Sequence, residues 1–206
     1  MGLSPTELVA SGADADTYWE GVPFLGHLIL VNGTDKYDVY KDAVAGWKAD
    51  TWGSGATDPP PDSYFIEEFL GRIWLAPKDA RHKVVYSQVP PDHDEFPSAN
   101  EITIYPQRGG EVTGLKTWGA ALYIFQSHNI VVIPFADDPT LYSPQNLHLG
   151  FGCVAPYTLR RCGPYGLVFM ADDGIRVFPP GKRLSGLVDD TIMGMTASRK
   201  KASYGA

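Results

Sequence analysis

Cysteine is scarce, acidic residues outnumber basic ones, and long apolar runs are missing from the 206-residue sequence. The two cysteines, Cys153 and Cys162, match neither a Cys-x-x-Cys redox pair nor half of a zinc-ribbon pattern. A chain of this size needs no disulfide to fold, so we expect two small packing residues, with a disulfide as the less favoured alternative. With 17 Lys and Arg against 24 Asp and Glu, the net charge is −7. This balance disfavours a nucleic-acid-binding surface, because neutralising phosphates requires clustered cations.

Membrane and signal segments are not evident either. No apolar run approaches the length needed to cross a bilayer. The N-terminus has neither the basic region nor the apolar region of a signal peptide. We therefore expect no membrane partner.

Motifs for cofactors and metals are weak. Residues 150–155 fit the letters G-x-G-x-x-A, but a proline-rich segment precedes them and Pro156 follows, where a nucleotide site needs a strand and a helix. Residues 92–95, Asp-His-Asp-Glu, could supply metal ligands, yet no metal-binding spacing organises them, and a solvated acidic turn is the favoured interpretation. The five histidines lie in separate segments. The sequence therefore predicts no catalytic residue, no cofactor and no metal, and a protein that is not an enzyme.

Turn residues and aromatic residues are what the sequence has in quantity. Aromatic content of 12%, 22 glycines and 17 prolines favour an all-β chain with little helix. Segments 121–125 and 130–135 are short apolar runs rich in β-branched and aromatic residues, separated by a polar turn at 126–129. They predict a β-hairpin.

The hairpin pattern recurs along the chain. A glycine, an apolar run, a polar turn and a second strand appear four times, with glycines at positions 26, 71, 119 and 166 and separations of 45, 48 and 47 residues. A period of about 47 residues is typical of one four-stranded propeller blade. The sequence thus predicts an all-β, β-propeller-like fold of four units, with an open or partial propeller allowed. A β-sandwich with regularly spaced hairpins is the alternative.

Three segments are predicted from this pattern: an N-terminal arm over 1–20, a β-propeller-like domain over 21–192 and a polar C-terminal tail over 193–206. Proline, glycine and polar residues also predict long exposed loops between the repeats. We expect subunit contacts through these loops, at 49–63, 89–99 and 136–149.

An ordered set of short motifs lies within residues 22–192. It comprises 71–76 (GRIWLA), Tyr86-Ser87, Phe96-Pro97, 102–105 (ITIY), Gly114-Leu115, 121–125 (ALYIF), 130–133 (IVVI), 150–156 (GFGCVAP), 168–170 (VFM), 173–175 (DGI) and Ser185. This order resembles the β-propeller virion proteins of tailed phages, especially the tail nozzle, or tail tubular, proteins of short-tailed phages.

The resemblance implies a non-enzymatic structural protein of the virion, assembled as a ring-like homo-oligomer, commonly a hexamer. It also implies contacts with other tail, adaptor or fibre proteins, and a conduit through which DNA passes during ejection without specific binding. Nozzle proteins are several times longer than this chain. A short homologue, a neck or adaptor component and a piece of a longer chain therefore all stay open.

Two other functions are compatible with the residues. One is a carbohydrate-binding or glycan-processing propeller, with Trp47 and Trp52 exposed in a loop as stacking platforms, while Trp74 and Trp118 are expected to pack in strands. The other is a scaffold propeller that binds a peptide or protein partner. Only the order of the motifs favours the virion.

Overall fold

The computed structural model describes residues 18–43, 46–104, 109–179 and 182–183. The chain divides into two compact units, Met1–Ile102 and Thr103–Ala206. The predicted C-terminal tail lies outside the described residues. So does the predicted N-terminal arm, apart from Tyr18, Trp19 and Glu20, the last of which begins the first strand.

The first unit contains two four-stranded antiparallel sheets, and the strands of each follow one another in chain order. The first sheet consists of β1 (Glu20–Phe24), β2 (His27–Val31), β3 (Lys36–Asp42) and β4 (Gly46–Thr51). The second consists of β5 (Ser63–Phe69), β6 (Arg72–Pro77), β7 (Lys83–Tyr86) and β8 (Glu101–Thr103).

The core of this unit follows from alternation along the strands. In β1, Val22 and Phe24 are buried while Gly21 and Pro23 are exposed, as expected for a half-buried strand. These side chains belong to one apolar cluster that both sheets supply, with Ile29 of β2 and Ile73 and Leu75 of β6, all fully buried. Burial of apolar side chains at about 25 cal/mol per Å² is the main stabilising contribution to this packing.

The second unit repeats the arrangement. Its first sheet consists of β9 (Val112–Trp118), β10 (Ala121–Gln126), β11 (Ile130–Pro134) and β12 (Gln145–Asn146). Its second consists of β13 (Arg160–Arg161), β14 (Leu167–Ala171), β15 (Gly174–Phe178) and β16 (Lys182–Arg183). Three short 3-10 turns lie in its described connections, at Pro139–Leu141, Pro156–Thr158 and Gly163–Tyr165.

The core of the second unit is built around an edge-to-face aromatic pair. The rings of Phe125 in β10 and Phe169 in β14 lie 4.9 Å apart at 64°, an arrangement favoured by the ring quadrupoles. Leu167 and Cys153 belong to the same cluster, and each is fully buried.

The repeating glycine lies in the connection that leads into the second strand of every sheet. It lies immediately before the second strand at Gly26, Gly71 and Gly166, and one residue earlier at Gly119. Its φ is positive at all four positions: +85° at Gly26, +68° at Gly71, +62° at Gly119 and +113° at Gly166. Glycine has no Cβ and adopts this backbone at little cost. The period of 45 to 48 residues in the sequence is therefore the spacing of one positive-φ glycine per sheet.

The prediction of four β-propeller-like repeats is confirmed, since the described strands form four four-stranded antiparallel sheets. The central hairpin is also confirmed, as β10 and β11 pair from Ala121↔Pro134 to Phe125↔Ile130. The predicted loop over 49–63 is wrong at both ends, because 49–51 belong to β4 and Ser63 begins β5. The predicted loop over 136–149 is interrupted by the short strand β12. Among the described residues, no helix is long and apolar enough to span a bilayer.

Candidate binding cleft

Two carboxylates lie side by side on one face of the first sheet. The register of β3 and β4 pairs Asp38 with Asp50 and Tyr40 with Lys48. Because side chains alternate along a strand, Asp38, Tyr40 and Asp50 share one face of the sheet. Like charges directly opposite each other on neighbouring strands are destabilising. Each carboxylate therefore needs a compensating partner.

Both partners are present. The Nδ1 atom of His27 lies 2.8 Å and 2.9 Å from the two carboxylate oxygens of Asp38. The Tyr40 hydroxyl donates to Oδ2 of Asp50 at 2.7 Å. The His27 and Tyr40 rings also stack, with centroids 5.3 Å apart and planes 29° from parallel. The two pairs thus form one connected polar and aromatic surface.

The loop after β4 supplies the next wall. Trp52 follows the last residue of β4 and is 2% exposed, with its ring edge-on to Phe96 at 5.5 Å. Gly53 has a φ of +74°, and a Cβ there would meet Cδ of Pro60 at 2.2 Å. Only glycine lets the chain turn this closely beneath the proline.

The loop between β7 and β8 is tied to this wall by Glu95. Its two carboxylate oxygens accept hydrogen bonds from the backbone N–H groups of Thr57 and Asp58, both at 2.8 Å. These bonds hold the pKa of Glu95 below its ordinary value of 4.5. The backbone N–H of Phe96 donates to the Asp58 carbonyl at 2.7 Å. The clamp fixes the position of the neighbouring residues His93 and Asp94.

These elements enclose a cleft of about 330 Å³. It is lined by His27, Asp38, Tyr40, Asp50, Thr51, Trp52, Gly53, Ser54, Gly55, Pro91, His93 and Asp94. No Lys or Arg is among the lining residues, whereas three carboxylates are. Within the described part of the chain, the Asp94 carboxylate has no hydrogen bond or ion pair.

Trp52 brings a second polar group without a partner. Its indole Nε1 is buried and has no hydrogen-bond partner among the described residues. A buried N–H that makes no hydrogen bond carries a desolvation penalty of about 1–3 kcal/mol. The cleft therefore combines an unused donor on Trp52 with an unused acceptor on Asp94.

The predicted acidic turn at 92–95 contains two different environments. Glu95 is used within the protein as the loop clamp. His93 and Asp94 line the cleft, where His93 contacts the rings of Phe24 at 5.3 Å and His27 at 6.1 Å. Among the described residues, no group of three or more His, Cys, Asp or Glu side chains is placed to hold a metal ion.

The tryptophans differ from their predicted places in one important case. Trp47 lies in β4 rather than in a loop, but it is exposed at 42%, as predicted. The prediction for Trp52 is wrong, because its ring is buried against Phe96. Trp74 is fully buried and donates to the Phe69 carbonyl, and Trp118 is partly buried and packs against the core of the second unit, so the packing role predicted for both is confirmed.

The segment at 150–156 is a structural tie within the second unit. A Cβ at Gly152 would lie 2.0 Å from the Gln126 carbonyl oxygen, so the glycine permits close backbone contact. The next residue, Cys153, donates its N–H to the same carbonyl at 2.9 Å, and Val154 donates to the Met170 carbonyl at 2.9 Å. The segment thus hydrogen-bonds to the end of β10 and to β14.

The cysteines are both free. Cys153 is buried, which confirms its predicted packing role. The same prediction is wrong for Cys162, which is exposed.

No known family's sequence profile matches the chain, and no curated protein matches it. Among solved structures, the chain is similar to Hsv2 from the yeast Kluyveromyces lactis, with 8% identity and a TM-score of 0.46 over 85% of this chain and 52% of that one. A second structure of that protein, with a complete loop 6CD, gives 9% identity and a TM-score of 0.46 over 89% and 54%. The chain spans about half the length of the solved structures it matches.

Proposed function

We propose that this chain is a non-enzymatic structural protein of a phage virion, a nozzle or neck component of a short tail. The observation that carries the proposal is the order of the short motifs between residues 22 and 192, which resembles the order in tail nozzle proteins. In this role the chain assembles as a ring, contacts adaptor and fibre proteins, and lines part of the path of the DNA.

The places of the motif residues support a shared architecture. Residues 71–76 form the turn before β6 and most of that strand, and residues 121–125 form nearly all of β10. Residues 150–156 hydrogen-bond to the end of β10 and to β14, as described above. These three motifs therefore coincide with a turn, with central strands and with a hydrogen-bonded connection between strands.

Two of the three predicted contact loops carry large apolar side chains in solvent. Val89 is 48% exposed and Leu141 is 65% exposed. Single exposed apolar residues are common on protein surfaces. Their position in long loops makes them the residues to test for subunit contacts.

The first experiment asks whether the protein is a virion component that assembles. Virions purified from the source of the sequence are analysed by mass spectrometry, and the recombinant chain is analysed by light scattering and negative-stain microscopy. We expect the protein in the virions and ring-shaped oligomers of the recombinant chain. Absence from the virions contradicts the tail role, and a monomer at all concentrations contradicts the homo-oligomeric ring.

The second experiment tests the loops as contacts. We expect Val89→Asp and Leu141→Asp to shift the oligomer towards the monomer, because a charge in an apolar contact loses its hydration. Tyr165→Asp is the matched control, since Tyr165 is 75% exposed and lies outside the three loops. Equal assembly of all three variants and the parent chain would place the contacts elsewhere.

A further inference from the structure

We propose that the cleft between β3, β4 and the two loops of the first unit binds a neutral sugar ring. The inference concerns a ligand and does not depend on the tail role. It begins from the unused groups of the cleft, the Trp52 indole N–H and the Asp94 carboxylate.

The charges around the cleft exclude two classes of ligand. An anion would face three carboxylates, Asp38, Asp50 and Asp94, with no Lys or Arg in the lining to receive it. A cation would suit the carboxylates, but ammonium and guanidinium groups only donate hydrogen bonds and leave the Trp52 donor without an acceptor. The remaining class carries donors and acceptors together without net charge.

A sugar hydroxyl is such a group, because it donates one hydrogen bond and accepts up to two. One hydroxyl of the ring can accept from the Trp52 N–H while another donates to Asp94. The Asp94 bond is charge-assisted and therefore about twice as strong as a neutral one. Asp50 and Asp38 keep further lone pairs beside the ring, although Tyr40 already binds one oxygen of Asp50 and His27 lies close to both oxygens of Asp38.

Size and shape favour a single ring. A volume of about 330 Å³ is at the lower end of the range of about 300–1,000 Å³ for ligand pockets. The stacked rings of His27 and Tyr40 form an aromatic wall, and the Glu95 clamp holds the opposite loop in place before any ligand arrives. A preorganised wall lowers the entropy lost on binding.

The test uses the full chain, labelled with ¹⁵N, and a panel of methyl glycosides of glucose, galactose, mannose and N-acetylglucosamine. The chain has five tryptophans, and the indole N–H signal of Trp52 is assigned by its loss in Trp52→Phe. We expect at least one glycoside to bind with a dissociation constant on the order of 1 mM and to shift the Trp52 indole signal. Binding that leaves this signal unmoved, or no binding up to about 50 mM, overturns the proposal.

A pair of variants tests the acceptor. We expect Asp94→Asn to weaken binding of the responding glycoside by about tenfold, because the charge-assisted bond is lost. Asp92→Asn makes the same change of charge in the same loop, and Asp92 does not line the cleft, so its affinity should equal that of the parent chain. Equal losses in both variants contradict a direct role for Asp94.

Methylguanidinium is the opposing probe. If it binds the cleft and none of the glycosides does, the occupant is a cationic side chain of a partner and the sugar proposal is wrong. If Asp94→Asn fails to fold, the shift of the Trp52 indole signal in the parent chain still decides between the two outcomes.

Discussion

Glu95 shows how one exposed carboxylate can hold two loops. Its backbone hydrogen bonds to Thr57 and Asp58 lower its pKa from 4.5, so the folded state binds its proton less tightly than the unfolded chain does. The stability that the clamp supplies is therefore complete above pH 4.5 and is lost as the pH falls through the lower folded pKa.

We expect the parent chain to be more stable than Glu95→Gln at pH 7, and the difference to shrink below pH 4.5. The cause is that the glutamine side chain has one acceptor oxygen and no charge. Urea unfolding at pH 7 and at about pH 3 measures the difference. Asp92→Asn is the control, and a Glu95→Gln difference that stays constant with pH would contradict the clamp.

Gly152 provides a test of close backbone approach. We expect Gly152→Ala to destabilise the chain by about 2 kcal/mol or more, because the new Cβ meets the Gln126 carbonyl, which is backbone and cannot move aside. Gly55→Ala is the matched control, since a Cβ there has no atom within 4 Å and we expect a change within about 0.5 kcal/mol. Thermal unfolding of both variants checks the contrast. Equal stabilities would show that the segment relaxes freely.

At this scale the sequence predicted little of the cleft. His27, Asp38 and Asp94 are far apart in the chain and each belongs to a different element. The approach of His27 to Asp38 depends on the β2–β3 register, and that of Asp94 depends on the contact between two loops. The acidic turn at 92–95 was a visible signal, but nothing in the letters distinguishes the clamping Glu95 from the cleft-lining Asp94.

The first turn of the first two sheets carries backbone strain. Leu25 and Leu70 have φ values of +51° and +57°, and each is followed by a glycine with positive φ. The registers Phe24↔His27 and Phe69↔Arg72 make both connections two-residue loops. Two positive φ values in such a loop are the geometry of a type I′ turn, for which Asn-Gly is the favoured pair.

We expect Leu25→Asn to stabilise the chain by about 1 kcal/mol. Leucine pays about 1–2 kcal/mol for the left-handed conformation, and its side chain is 65% exposed, so little packing is lost. The control is Leu28→Asn, at 40% exposure inside β2, where the loss of strand propensity should destabilise. Urea unfolding of both variants measures the change, and a less stable Leu25→Asn chain would mean that the turn does not bear this strain.

The sequence predicted elements where the strands are apolar and missed them where they are short or charged. The strands β10 and β11 are nearly continuous apolar runs and were found within one residue. The strand β4 reads GWKADT, with two charges and a glycine, and this composition predicts a loop for its second half. The strands β12, β13 and β16 have two residues each, which is too short for any period to appear.

The Asn32-Gly33 pair shows that a sequence motif can predict a turn without predicting the backbone φ of each residue in it. The sequence predicts a turn in which both residues tolerate positive φ, and Gly33 has a φ of +90°. Asn32 is not among the positive-φ residues; its side-chain oxygen accepts from the backbone N–H groups of Thr34 and Asp35 instead. The turn is present, but the side chain of Asn32 stabilises it.

At the scale of the whole molecule, charge gives a direct prediction for the conduit role. A net charge of −7 repels phosphate within a Debye length of about 8 Å at physiological salt. We expect no retardation of a duplex DNA in a gel at protein concentrations up to about 0.1 mM, the weak end of ordinary non-specific binding. A micromolar affinity at the same salt would contradict a passage in which DNA slides past the protein.

The fold was predictable at this scale because a positive-φ glycine recurs before the second strand of every sheet, and its nearly constant spacing is visible even where individual strands are short. The division into Met1–Ile102 and Thr103–Ala206 has no comparable signal, since the period continues across it.

The strand order leaves β4 as the last strand of its sheet, and at six residues it is longer than β8, β12 or β16, which have three, two and two. A long last strand is a template on which another chain can add a strand and begin an aggregate. Lys48 and Asp50 interrupt that template with charge, as natural edge strands commonly do. Neutralising these two residues would remove the protection, so solubility during expression depends on the same strand that carries the cleft.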